Sequence, residues 1–350
     1  VTEIKKYREG NSVRPLARTL DEWRAWAESV NARAFHGNQI FKWIHCRQQL
    51  NPDAMTDLPT HIRSTLSSEF QNYTPTVDKI HEAADGTRKI VFSTSDAAKI
   101  EAVLIPFLPD EKTADQREDW DQDEAPCDDP ASVSKDRVTM CISTQVGCAI
   151  GCSFCASGAR GLIRHLQPDE IIAQVLIGKT LLHPHQRLSN VVLMGIGEPL
   201  HNYDATVRAV RLMQHDEGLG LSSRRITIST AGLVPELNRL GNDFQGRIGL
   251  AVSLHAADDA VRSSLIPINR QHPIGSLMMA LRSYPLPPRR TITVEYALMD
   301  GVNDSEKAAR SLVRLLRGIR VKVNLIPMNP VVHSSLRPSP PDRVAAFQQI

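Results

Sequence analysis

The sequence predicts an α/β protein: a partial (β/α)6 barrel behind a small N-terminal helical domain and a β-hairpin linker. Three observations carry that expectation. From Thr139 onward, short apolar strands alternate with amphipathic helical stretches, the pattern of parallel βαβ units. Each of those strands ends in polar or glycine-containing residues. Between residues 20 and 70, by contrast, only helical periodicity is present.

Size and charge bound the possibilities. A chain of 350 residues has room for one large domain or two with a real core. No apolar run approaches membrane-spanning length, and the first residues, Val1-Thr2-Glu3-Ile4-Lys5-Lys6, contain no signal-peptide core. Three of the six cysteines fall in one short loop, which reads as metal chemistry rather than a disulfide framework. A cytoplasmic protein without membrane attachment is expected. The net charge of +2 conceals an uneven distribution: residues 110–129 carry −8, leaving +10 on the remainder. A basic body suits a polyanionic partner.

Residues 1–15 are polar and are expected to fray. The helical domain is placed at 16–75. Asp21 and Glu22 suit a helix N-terminus, Phe35, Ile40, Phe41, Trp43 and Ile44 make a dense apolar cluster, and Leu58, Ile62, Leu66 and Phe70 recur every four residues. Composition leaves open whether this domain only packs or also touches RNA. Residues 76–107 read as a β-hairpin linker, with a turn at Asp85-Gly86-Thr87 and strands around Ile90 and Val103. Glu101 lies among apolar residues there, and burial would raise its pKa. Residues 108–137, rich in Asp, Glu and Pro and containing Cys127, read as an acidic, disordered insertion.

The barrel is placed at 138–350, with strands at 138–143, 190–194, 225–229, 248–254, 291–296 and 321–326. Helices are expected near 168–182, 204–214, 233–240, 258–265, 275–283 and 304–317, with Asp204 and Asp304 as N-caps and Pro168 in a first turn. Barrel strands present their C-terminal ends to one face, where chemistry sits. Glu198, Ser229, Ser253, His255 and Asn329 all fall at such ends and supply hydrogen-bonding groups.

The motif that organises these parts is Cys148-Ala149-Ile150-Gly151-Cys152-Ser153-Phe154-Cys155, a C-x3-C-x2-C spacing. Thiolates favour zinc, copper(I) or iron–sulfur clusters. A closed zinc site takes four ligands, usually as two separated pairs, and no second pair exists here. An all-cysteine [4Fe–4S] cluster also takes four thiolates, so three would leave one iron open. That matches the radical S-adenosylmethionine (SAM) signature, in which SAM chelates the open iron. A zinc loop with His165 as fourth ligand, or three unrelated buried thiols, remain as alternatives.

From Glu101 to the end, together with the N-terminal helices, the chain resembles the RlmN/Cfr-type radical SAM RNA methyltransferases. The resemblance rests on Cys141–Cys148, Met194–Leu200, Arg224–Thr230, Ser253–Ala256, Pro267–Asn269 and Asn324–Pro330. It is closer to the adenine-C2 branch, RlmN, which modifies 23S rRNA and tRNA. The resemblance implies that Cys148, Cys152 and Cys155 hold a [4Fe–4S] cluster and that Gly197, Glu198, Ser229, Ser253, Leu254, His255 and Asn329 surround SAM. It aligns Glu101 with a proton acceptor and Cys141 with a cysteine that resolves a protein–RNA link. In that family a methyl passes from SAM to a second, distant cysteine. A 5′-deoxyadenosyl radical from another SAM then activates it for addition to adenine. The chemistry fits its target, since adenine C2 is not nucleophilic and needs a cofactor-borne radical. Choosing one adenine needs an unstacked base.

Further implied are an electron donor such as flavodoxin or ferredoxin, and a monomer. Arg160, Arg164, Arg224, Arg225, Arg289 and Arg290 are candidates for phosphate contacts. The family carries its methyl-bearing cysteine after the last helix, whereas no cysteine follows Cys155 and Ile350 falls within an amphipathic stretch. The sequence therefore reads as C-terminally truncated and, as it stands, unable to complete methyl transfer. Two other readings stay open: the C8-methylating Cfr branch, and a non-catalytic RNA-binding protein with a structural cluster or zinc.

Overall fold

A computed structural model describes residues 13–107, 136–332 and 334–350. Residues 1–12, and 108–135 of the acidic insertion with Cys127, lie outside those residues. The chain forms two compact units, one of Val1–Met140, Gln167–Asn190 and Asp204–Ser222, the other of Cys141–Leu166, Val191–Tyr203 and Ser223–Ile350.

The first unit begins with α1 (Leu20–Ser29), whose N-terminus is closed by a capping box. The Thr19 hydroxyl accepts the Glu22 N–H, and the Glu22 carboxylate accepts the Thr19 N–H. α2 (Ala34–Phe41) crosses α1 closely, because a Cβ at Gly37 would lie 2.5 Å from the Trp23 backbone. It runs on into a π turn, Lys42–Cys46. α3 (Thr60–Tyr73) buries Ile62, Leu66 and Phe70, the four-residue repeat of the sequence. Ile40, Phe41 and Ile44 join this core, but Phe35 is 48% exposed and does not.

The expected hairpin is a three-stranded antiparallel meander of β1 (Thr76–Glu82), β2 (Arg88–Ser93) and β3 (Lys99–Pro106). Every residue of β1 is exposed, so no buried face prints an alternation into its sequence. Glu101 on β3 is not buried either: its side chain is 41% exposed and pairs with Lys89 Nζ at 3.2 Å.

β4 (Asp136–Cys141) leads to a small antiparallel pair, β5 (Gln145–Gly147) and β6 (Leu162–His165), which brackets the cysteine loop and has no clear sequence signal. There follow α4 (Pro168–Thr180), β7 (Gln186–Leu193), α5 (Tyr203–Gln214), β8 (Ile226–Thr230), α6 (Val234–Phe244), β9 (Gly249–Ser253) and α7 (Asp259–Leu265). The described chain closes with α8 (Ile274–Ser283), β10 (Ile292–Leu298), α9 (Glu306–Leu316), β11 (Val321–Pro327) and α10 (Pro341–Gln349). In the second unit β7, β8, β9, β10 and β11 pair in parallel and in chain order, with Val191 opposite Ile226, Thr227 opposite Gly249, Thr293 opposite Ala251 and Ile292 opposite Val321. The chain leaving β4 lies beside β7 through Ile142 N–H to Val192 O at 2.9 Å. The architecture is thus mixed α/β, with β7 to β11 parallel and ending on one face.

Two expected caps are different. α9 is capped by Ser305, whose hydroxyl accepts the Ala308 N–H at 3.2 Å, while Asp304 turns back to the Gly301 N–H and to Arg343. Asp204 sits inside the first turn of α5. Both positions favour an acid near a helix N-terminus, which is why one residue of offset leaves no trace in composition.

His45 is fully buried against the Phe41 ring at 4.5 Å, and neither of its ring nitrogens has a hydrogen-bond partner. Burial, with the charge of His215, pushes its pKa down to about 3. The unfolded chain takes up that proton near pH 6.5, so the stability contribution is complete above that pH and is lost on acidification towards 3. The slope is up to about 1.4 kcal/mol per pH unit. His45→Leu is expected to flatten this limb. Urea midpoints followed from pH 7 to pH 4 should fall less steeply in the variant, and parallel curves would contradict it.

Candidate metal and cofactor site

The cysteine loop is held at both ends. Cys148 N–H donates to Gly161 O at 3.0 Å, and Ser153 N–H donates to Leu265 O at 3.0 Å, tying the loop to the end of α7. Gly147, at φ 75°, opens the loop where a Cβ would stand 1.9 Å from Gly161 O. Cys148, Cys152 and Cys155 are half-buried. Burial pushes the Cys152 thiol up to about 12, with the charges of Cys155 and Cys148 adding to it, and Cys148 is raised by burial and by the charges of Glu198 and Cys155. The three sulfurs therefore lie within one another's fields. Among the described residues no group of three or more His, Cys, Asp or Glu side chains closes around a single ion.

Three soft donors spread along one loop fit the corners of a multi-iron cluster. Their thiolates would be costly there without a cationic group to neutralise them.

The other strand ends converge within the same unit. Glu198, in the loop after β7, is buried, and its carboxylate accepts the Leu200 N–H at 3.0 Å and the Ala231 N–H at 2.7 Å, the latter from the loop after β8. Burial pushes its pKa up to about 7, opposed by those N–H bonds. Gly197, at φ 113°, has no room for a Cβ beside Gln145. Ser229 is the penultimate residue of β8, Ser253 the last of β9, and Asn329 lies two residues beyond β11. Leu254 is fully buried.

His255 adopts a left-handed backbone, φ 53°. Its Nδ1 accepts the Ala297 N–H at 2.8 Å, so the ring proton sits on Nε2, and burial lowers its pKa to about 3. The Phe154 ring of the cysteine loop stands edge-on to it, centroids 4.7 Å apart. Cys141 ends β4, its thiol pushed up to about 11 by burial. Glu101 belongs to the other compact unit.

Residues 142–313 match the family model of the Radical SAM superfamily, and residues 16–71 match that of the ribosomal RNA large subunit methyltransferase N-terminal domain. A dual-specificity RNA methyltransferase RlmN from Sorangium cellulosum is 51% identical over 96% of this chain and 88% of its own length. The RlmN protein of Syntrophobacter fumaroxidans is 42% identical over 95% and 88%. The chain belongs to the RlmN family of radical SAM RNA methyltransferases. A crystal structure of a radical SAM methyltransferase from Sphaerobacter thermophilus shares its fold, with TM-score 0.85, 40% identity, and 97% and 92% of the two chains covered.

As an RlmN-family enzyme the chain has site residues that motif reading passes over. Arg262 is 0% exposed. It donates to Leu254 O at 3.1 Å, Ser253 O at 3.0 Å, Ala231 O at 2.7 Å and Asn269 Oδ1 at 2.7 Å, and no carboxylate is among these acceptors. Its charge also acts on Cys152. Asn269 in turn donates to the Asp259 carbonyl and carboxylate. Gln145 is the second such residue. Its Oε1 accepts the Glu198 N–H at 2.9 Å, so its Nε2 faces His165 Nδ1 at 3.1 Å and His201 Nδ1 at 3.2 Å. Both imidazoles therefore carry their proton on Nε2. The signal for Arg262 in the sequence was only an arginine on a short amphipathic helix.

Replacing Arg262 strands three carbonyls and an amide in the interior. Arg262→Met is expected to lower unfolding free energy by roughly 3–5 kcal/mol. Chemical denaturation measures this, and a loss under about 1 kcal/mol would mean that water replaces the guanidinium at little cost.

Proposed function

We propose that this enzyme methylates C2 of a specific adenine in 23S rRNA and in tRNA by way of a methylated cysteine. The observation that supports this most is the three-thiol loop in the same unit as Glu198, Ser229, Ser253 and His255, in a chain whose relatives are named dual-specificity RNA methyltransferases. On this reading Cys148, Cys152 and Cys155 would hold a [4Fe–4S] cluster. Gly197, Glu198, Ser229, Ser253, Leu254, His255 and Asn329 would hold SAM. Once bound, the cluster supplies the electron that splits SAM into a 5′-deoxyadenosyl radical.

The protein's own groups prepare that chemistry. Glu198 keeps a lone pair beyond its two backbone N–H bonds and the Thr230 hydroxyl, so it can accept from the amino group of a cationic cofactor. His255 stays neutral and presents an Nε2–H donor. Cys141, a protonated thiol at neutral pH, would resolve the protein–RNA link. Glu101 would accept a proton, its carboxylate meanwhile oriented by Lys89. Residues 16–75 would contact RNA, 76–107 would link, and 138–350 would form the catalytic barrel. A flavodoxin or ferredoxin would deliver electrons to a cytoplasmic monomer. Among the described residues no helix is long and apolar enough to cross a membrane.

Deleting the gene should remove 2-methyladenosine from nuclease digests of both 23S rRNA and tRNA, read by mass spectrometry. Loss of 8-methyladenosine instead would move the enzyme to the C8 branch, and unchanged RNA would end the methyltransferase reading. In the purified protein, Cys152→Ala should lose most of the iron and acid-labile sulfide that the wild type binds under anaerobic reconstitution. Retained iron would place the cluster elsewhere.

A further inference from the structure

The arginines of the sequence do not all belong to the cofactor face. Exposed Arg224 and buried Arg225 precede β8, Arg247 precedes β9, Arg289 and Arg290 precede β10, and Arg317 and Arg320 precede β11, so Arg225 is not part of the exposed set. The residues just ahead of these strands (223–225, 245–248, 284–291 and 317–320) contain no Asp or Glu, although Asp216 and Glu217 lie earlier in the connection to β8. The strands they feed are consecutive neighbours, so the loops lie side by side. Arg290 donates to Arg247 O at 2.7 Å, and Arg320 donates to Leu286 O at 2.6 Å and Pro287 O at 2.9 Å, which binds three of the loops to one another. Among the described residues no carboxylate pairs with Arg247, Arg289, Arg290, Arg317 or Arg320.

Helix dipoles account for Arg317, the C-cap of α9, but not for the rest of the group. α6, α8 and α9 end at Phe244, Ser283 and Leu316. Arg289, Arg290 and Arg320 come well after those last turns, beyond the reach of the dipole effect. Arg289 adds a second observation. It is exposed and holds a left-handed backbone, φ 63°, where glycine would sit without strain. A strained, solvent-facing arginine with no partner points to a role outside the fold.

We propose that the arginines entering β8 to β11 form a second RNA-docking face, which grips backbone phosphates of a structured RNA at the opposite end of the strands from the reacting adenine. The proposal rests on the RNA-substrate reading above. Guanidinium groups match phosphate bidentately, and four strands about 4.8 Å apart span roughly 14 Å, enough for several phosphates along one nucleic-acid strand. An acidic electron-donor protein is the other polyanion to consider. It must approach the cysteine loop, whereas these loops stand a seven-residue strand away, about 20 Å.

The test is a triple variant, Arg247→Gln, Arg289→Gly and Arg317→Gln, beside Arg289→Gly alone. Binding of tRNA and of protein-free 23S rRNA is followed across a KCl series. Each lost phosphate contact should reduce the slope of log K against log salt by about 0.7–0.9, so the triple variant should lose about 2–3 and the single variant about 1. Affinity at 0.1 M salt should fall about tenfold or more, SAM affinity should be unchanged, and Arg289→Gly should melt no lower than wild type. Loss on both RNAs marks a shared docking face, and loss on rRNA alone assigns the face to the larger substrate. An unaltered slope overturns the proposal, as does a defect confined to reduction by flavodoxin or ferredoxin. Wild-type protein that binds neither RNA would instead defeat the RNA-substrate reading on which this face depends.

Discussion

A positive charge sealed in the interior, bonded only to neutral oxygens, is the constraint from which the site takes its shape. Arg262 draws together Ala231 after β8 and Ser253 and Leu254 at the end of β9, and it reaches Asn269 beyond α7. Burying a guanidinium is expensive, and the nearest carboxylate, Asp259, acts on it through Asn269 rather than by direct contact. Cys152 lies in the field of Arg262 as well. Ser153, anchored to Leu265 at the end of the same helix that carries Arg262, connects the two mechanically.

Much of the barrel was legible because its elements print a period into the sequence. β7 to β11 fall within a few residues of their expected places, as do α4 to α9. The helical repeat of Leu58, Ile62, Leu66 and Phe70 is the buried face of α3 and the turn before it. What escaped lacks such a print. β1 is exposed along its whole length, and β5 and β6 are three and four residues long. Ser305 displaced Asp304 as a cap because both residue types serve equally well. The apolar run around Glu101 left its burial open, and strand alternation turns that carboxylate to the side where Lys89 waits.

The candidate site divides in the same way. The cysteine spacing, the glycine and glutamate after β7, and the polar ends of β8 and β9 could be read directly, since chemistry demands those residue types at those places. Phe154 and His255 could be named but not joined. Only the fold brings the ring from the cysteine loop edge-on to the imidazole from the end of β9. Arg262 and Gln145 serve by holding backbone groups and neighbouring rings, a duty that leaves no spacing rule behind. The arginines ahead of the strands were noticed as charges, and topology separates them from the cysteine loop by a strand length.

Gln145 carries a consequence of its own. Its amide gives one hydrogen to each of two imidazoles and takes the Glu198 N–H on its oxygen, so it has no spare orientation. Neither ring can gain a proton at Nδ1 without facing a donor with a donor, and rotating the amide would forfeit the Glu198 contact. The one amide therefore fixes His165, the last residue of β6, and His201, in the loop after β7, to the backbone of Glu198. Two distant-looking loops share a single latch.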